Sequence, residues 1–269
     1  MIDNHIEKCI HNRISHDLEK YKNTWESYST NVRFFIVDDL LPIDIFEKLY
    51  PSFIESKDDF YNRKSFRERK KTSSDMNKHD KLLSDCIYAF QAEENIKLIE
   101  YITGIHNLEP DPLLYAGGLS IMNKGDFLNP HIDNSHDRDK RRYRRLNLLY
   151  YITPNWTESM GGSLELWDRK VTKATNIEAC NNRLVIMETN SNSWHSVSKI
   201  KSNFTRCCIS NYFFTQNSPT GKQYHHVTSF QGRPNEKLKR LYCPIDNFIR
   251  NLVSRYFKLN RGRGMINRT

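Results

Sequence analysis

Between Phe127 and Phe214 the chain runs through short apolar segments separated by turn residues, and that pattern limits the fold more than any other feature. Asn123-Lys124-Gly125-Asp126 is a turn leading into Phe127-Leu128-Asn129-Pro130-His131, where Pro130 biases Asn129 towards an extended backbone. Leu146 to Ile152 has the apolar character of a strand buried in a sheet. Gly161 to Trp167 is a further strand, entered through a glycine pair. Arg183 to Thr189 and Arg206 to Phe214 then bracket the short segment Trp194 to Val197. Strands of this length, punctuated in this way, predict a mainly β core.

Within that stretch, His131 and Asp133 stand two residues apart, so on a regular strand their side chains share a face and can reach one ion. His195 comes from a different strand. Two imidazoles and one carboxylate on one side of an ion leave its other side open, the donor set of non-haem Fe(II) oxygenases. His225 and His226 compete with His195 as third ligand but lie beyond the last of these strands, and they read as surface histidines. A turn role for Asp133 is the alternative, because Asp133-Asn134-Ser135-His136-Asp137 is rich in turn formers.

The order His131-x-Asp133, Arg145 to Tyr151, Gly161 to Trp167, Asn182 to Glu188, Trp194 to Val197 and Arg206 resembles the Fe(II)- and 2-oxoglutarate-dependent dioxygenases of the prolyl 4-hydroxylase type. The resemblance covers roughly residues 115 to 215, and Phe34 to Leu41 looks like the strand that opens the catalytic domain in that family. It implies a double-stranded β-helix, or jelly roll, with flanking helices. It implies Fe(II) and 2-oxoglutarate as cofactors, with ascorbate as a candidate reductant. His131, Asp133 and His195 would hold the metal. Arg206, eleven residues after His195, would pair with the far carboxylate of 2-oxoglutarate, a task suited to a forked guanidinium. Asn147 and Tyr151 are the candidate second contacts. The reaction implied is hydroxylation of an unactivated C–H bond of an amino acid, a prolyl or other peptidyl substrate, or a sugar, with succinate and carbon dioxide released. Asp133 favours hydroxylation over halogenation, since related halogenases carry a small residue at this position. One departure stands at Ile121 and Met122, where relatives often have a tyrosine. The competing readings are a nucleic acid-oxidising dioxygenase, favoured by positive charge, and a cupin-like metal-binding protein that lacks oxygenase activity.

The 269 residues leave room for one catalytic domain at 32–216, a helical extension at 1–31 and a basic helical tail at 217–269 packed on the same domain. Ile6, Cys9, Ile10, Ile14, Leu18 and Tyr21 fall at helical spacing, Pro42 to Leu49 reads as a helix, and Leu82 to Ile105 as two helices broken near Gln91 to Asn95. Between Lys57 and Lys81 the chain is highly charged, which reads as a solvated, mobile loop, or as a lid over the site. The run Arg138 to Arg145 reads as a solvated rim, or as a patch drawing an anionic substrate to the metal. From Arg233 to Arg268, basic residues alternate with apolar ones in an amphipathic helical tail, either packed or presented to a membrane surface or partner. A net charge of +9 suggests an acidic partner or substrate. The N-terminus shows no signal-peptide pattern and no apolar run is long enough to span a membrane, so the expectation is a cytoplasmic protein with its six scattered cysteines reduced.

Overall fold

The apolar residues at helical spacing near the N-terminus build two helices, α1 (Asn4–His16) and α2 (Leu18–Glu26). Ile6, Ile10 and Ile14 share one buried face of α1, each contributing about 1.5–3 kcal/mol of apolar burial. A helix α3 (Ile43–Glu55) starts behind Pro42 and continues past Pro51, whose ring faces solvent. The pair predicted from Leu82 onward is α4 (Lys81–Ala89) and α5 (Glu93–Thr103), against which α1 packs. Gly104 ends α5 at φ +65°, a backbone conformation that glycine adopts without a side-chain clash. The computed structural model describes residues 4–28 and 32–256. Residues 1–3, 29–31 and 257–269 lie outside the described residues, and with them Phe257, Lys258, Arg261, Arg263 and Arg268 of the tail, as do the side chains of Arg255 and Tyr256.

The strands are β1 (Phe34–Val37), β2 (Tyr61–Lys64), β3 (Glu68–Ser73), β4 (Glu109–Pro110), β5 (Gly118–Met122), β6 (Phe127–Ile132) and β7 (Tyr143–Tyr151). They continue as β8 (Leu164–Trp167), β9 (Ala174–Ile177), β10 (Arg183–Glu188), β11 (His195–Val197), β12 (Arg206–Thr215) and β13 (Ser229–Phe230). Their order is β1-β10-β7-β12-β5-β3-β6-β11-β8-β9, antiparallel throughout. The sheet curls on itself at β3, which pairs with β5 through Lys71 to Ser73 and with β6 through Glu68 and Arg69. This is the double-stranded β-helix expected from the motif order.

Strand periodicity separates two cores. On β7, Leu146, Leu148 and Tyr150 pack with the helices, whereas Tyr151 and Leu149 face the inside of the curl. β10 divides in the same way, Leu184 and Ile186 outward and Val185 and Met187 inward, and β12 places Cys207 and Ile209 outward and Cys208 inward. All six cysteines are free thiols. The segment read as a mobile loop is instead a hairpin, β2 paired with β3, flanked by short 3-10 turns. Its charged side chains hide the strand pattern because one face lines a polar cavity and the other faces solvent. After β13, the chain ends its described part in α6 (Lys237–Tyr256).

Candidate active site

β11 lies beside β6 with His195 directly opposite His131, which brings the two ring centroids to 4.1 Å. The Nδ1–H of His131 donates to the Asn129 carbonyl at 3.0 Å, and that of His195 to the Ser193 carbonyl at 2.9 Å. Each bond fixes the tautomer and leaves Nε2 bare as a ligand. The two Nε2 atoms lie 3.6 and 3.7 Å from the Asp133 carboxylate oxygens. All three donor atoms fall within 4.8 Å of one another, a separation that one divalent ion with bonds of ~2 Å can bridge. Oδ2 of Asp133 is buried without a hydrogen bond, so the donor set has unused capacity.

The electrostatics suit a cation. Burial opposes ionisation of Asp133, but Arg144 and the two imidazoles outweigh it and hold the carboxyl at about 2. Burial, reinforced by His195, pushes His131 down to about 3, so its imidazole is neutral and able to ligate. Arg144 is itself 2% exposed: Nη1 lies 3.4 Å from Asp133 Oδ2, Nη2 donates to Asn134 Oδ1 at 2.9 Å, and the guanidinium stacks on Tyr212 at 3.9 Å.

Arg206 opens β12 opposite Met122 and is 4% exposed. Its guanidinium lies over the Tyr151 ring at 4.8 Å, Nη1 reaches only the Met122 sulfur at 3.9 Å, and Nε has no hydrogen bond. Among the described residues no carboxylate pairs with it, so a buried cation waits on the wall that holds His131, Asp133 and His195. Gly162, in the glycine pair before β8, explains how the side chain fits: a Cβ there would come within 2.7 Å of Arg206 Cδ. Asn147 lies on the same wall with Oδ1 unbonded, and Tyr151 steadies Arg206 from beneath.

His131, Asp133, His195, Arg206 and Asn147 line a cavity of about 450 Å³ whose outer part is built by Tyr61, Arg63, Glu68, Lys70 and Thr72 of the hairpin. Phe230 closes the inner side, stacked on His131 with ring centroids 5.5 Å apart. The basic run 138–145 is a solvated rim only in its first part, where Asp139 and Arg141 are exposed. Arg142 pairs with Asp137 at 2.8 Å and Glu109 at 3.1 Å, and Arg144 turns into the core. His225 is exposed and His226 half-buried, and neither joins the metal-type cluster. Arg144 and Phe230 were missed by sequence reasoning. A register shift at Phe213/Phe214 sets two residues of β7 against one step of β12, which turns Arg144 inward against the strand alternation. Phe230 lies beyond the recognisable strands.

Residues 117–214 match the sequence model of the 2OG-Fe(II) oxygenase superfamily. A search among curated protein sequences gave no match. The fold is similar to that of a Trichoplax adhaerens prolyl hydroxylase solved in complex with a hypoxia inducible factor oxygen degradation domain peptide fragment, at 17% identity and TM-score 0.53, covering 79% of this chain and 92% of that one. It is similar to a Pseudomonas putida prolyl-4-hydroxylase at 13% identity and TM-score 0.54, covering 74% and 98%. A prolyl 4-hydroxylase structure from Phytophthora capsici shares 17% identity at TM-score 0.53, covering 96% and 81%. Sequence match, fold and donor set point the same way: residues 117–214 resemble the 2OG-Fe(II) oxygenase superfamily, on a fold similar to that of prolyl hydroxylases, with His131, Asp133 and His195 placed so that they could hold one metal ion.

Proposed function

We propose that the protein hydroxylates an unactivated C–H bond of a polar substrate of amino acid, prolyl or other peptidyl, or sugar type. Nε2 of His131, Nε2 of His195 and the Asp133 carboxylate are assigned as ligands of Fe(II), and Arg206 as the partner of the distal carboxylate of 2-oxoglutarate. When bound, iron and 2-oxoglutarate supply oxidation by dioxygen, with succinate and carbon dioxide released. The chain's own groups do the rest. The Nδ1–H bonds to Asn129 and Ser193 lock both imidazoles in the ligating orientation. Arg144 keeps Asp133 ionised, and the Tyr151 ring supports the Arg206 guanidinium. Leu128, Leu164, Val197 and Phe230 give the inner cavity apolar walls that exclude water.

The observation that carries this reading is Arg206: a buried guanidinium facing a cavity without an anionic partner is costly unless an acid binds there. A metal-binding barrel without oxygenase activity gives that residue no purpose. The charged hairpin wall, from Arg63, Glu68 and Lys70, favours a polar substrate over an apolar one. The Trichoplax neighbour, solved with a peptide fragment, supports a peptidyl substrate as the first to try. The test is substrate-stimulated succinate release from Fe(II) and 2-oxoglutarate, screened over amino acids, proline peptides and anionic sugars. Stimulation by one class, abolished in Asp133→Ala, is expected. Stimulation that persists in Asp133→Ala refutes the ligand assignment.

A further inference from the structure

α6 is mounted with its polar face inward. Asn247 bonds both backbone groups of Phe230, accepting from its N–H at 2.8 Å and donating to its carbonyl at 2.7 Å. Asn251 accepts from the Val227 N–H at 3.1 Å, and Arg250 donates to the Thr228 carbonyl at 2.8 Å. Arg67, at the turn of the hairpin, pairs with the buried Asp246. These bonds satisfy the free edge beside β13 and set the helix rotation, because rolling it over would orphan all of them.

The opposite face is apolar and bare. Leu238, Leu241, Ile245, Phe248, Ile249 and Leu252 recur at helical spacing, with Leu238 84% and Phe248 68% exposed. Phe66 extends the patch through an edge-to-face contact with Tyr242 at 5.4 Å. An apolar surface this continuous marks a docking face. Charge says what it docks to. Residues 237–269 hold nine Lys or Arg and one acid, Asp246, a net +8 within a chain whose total is +9. That acid is shared between Arg67 and Arg250, Lys239 pairs with Glu236 just before the helix, and Arg240 donates to the carbonyls of Lys170, Val171 and Gly232 and meets no carboxylate among the described residues.

We propose that this face docks on an anionic phospholipid surface, with α6 lying in the plane of the interface. Apolar side chains enter the acyl boundary while the net positive charge of the segment attracts it to anionic headgroups. Pairing with a second copy would bring two segments of +8 together, which like charge opposes. Among the described residues no helix is long and apolar enough to cross a membrane. The inference is independent of the substrate proposed above.

The test is co-sedimentation of the full chain with vesicles of phosphatidylcholine alone or of phosphatidylcholine containing phosphatidylserine. Binding to the mixed vesicles, weakened by salt and absent with phosphatidylcholine alone, is expected. The double variant Ile245→Glu/Phe248→Glu should reduce partitioning by about 100-fold while keeping the wild-type circular dichroism spectrum and 2-oxoglutarate turnover, since both side chains already face solvent. Failure of the wild type to bind mixed vesicles, or equal binding by the variant, overturns the proposal. So does a lipid-free dimer that the double variant dissolves, which would give the face to a second copy.

Discussion

Replacing Arg144 by Met tests whether a buried guanidinium holds the Asp133 carboxylate in its ionised state. Met fills much of the same space, so the change is chiefly electrostatic. The side chain is 1% exposed and its Nη1 lies 3.4 Å from Asp133 Oδ2. Removing one partner of a buried charge pair costs about 3–5 kcal/mol. At the lower end of that range the cost is about 3 kcal/mol, or a Tm lower by about 6–12 °C in a chain of this size. A divalent ion restores positive charge at the same carboxylate, so Mn(II) should raise the Tm of Arg144→Met by more than it raises that of the wild type. Thermal unfolding of metal-free protein, then of Mn(II)-loaded protein, reads both effects. A variant within about 0.5 kcal/mol of wild type without metal, or an equal Mn(II) increment in the two proteins, refutes the reasoning.

Arg206→Ala should raise the 2-oxoglutarate concentration needed for half-maximal succinate formation by about 10–100-fold, the worth of a charge-assisted pair, with metal affinity unchanged. Gly162→Ala should act in the same direction, because the added methyl meets Arg206 Cδ at 2.7 Å and φ is +74°; 2-oxoglutarate titration checks it, and wild-type affinity would count against the packing argument. Burial, with His225 beside it, pushes His136 down to about 4. The unfolded chain therefore binds a proton between about pH 6.5 and 4 that the folded chain does not, and stability falls as pH drops through that window. Solvent screening limits the loss to roughly 1 kcal/mol between pH 7 and 5, and His136→Asn should flatten that part of the curve in denaturant titrations.

The site was legible in the sequence where chemistry sits on regular strands. His131, Asp133, His195 and Arg206 follow in an order that a β fold can converge, and Asn147 shares the inward face of β7 with Tyr151. Arg144 was hidden because an irregular register at Phe213/Phe214 reverses the alternation there. The hairpin escaped because Arg63, Lys64, Arg69, Lys70 and Lys71 form strands held by backbone ladders, with no apolar face to betray them. The amphipathic character of α6 was readable, but periodicity says which residues share a face and not which face is covered. Here Asn247 and Arg250 anchor the polar side, and the apolar side is left outward.

The function proposed here requires that His131, Asp133 and His195 hold one ferrous ion beside an arginine that captures 2-oxoglutarate. Anaerobic addition of Fe(II) and 2-oxoglutarate to the purified protein, followed by visible absorption, tests it most directly. A metal-to-ligand charge-transfer band is expected in the wild type, lost in Asp133→Ala and shifted to higher 2-oxoglutarate concentration in Arg206→Ala. A band that survives Asp133→Ala, or that titrates identically in Arg206→Ala, would contradict it.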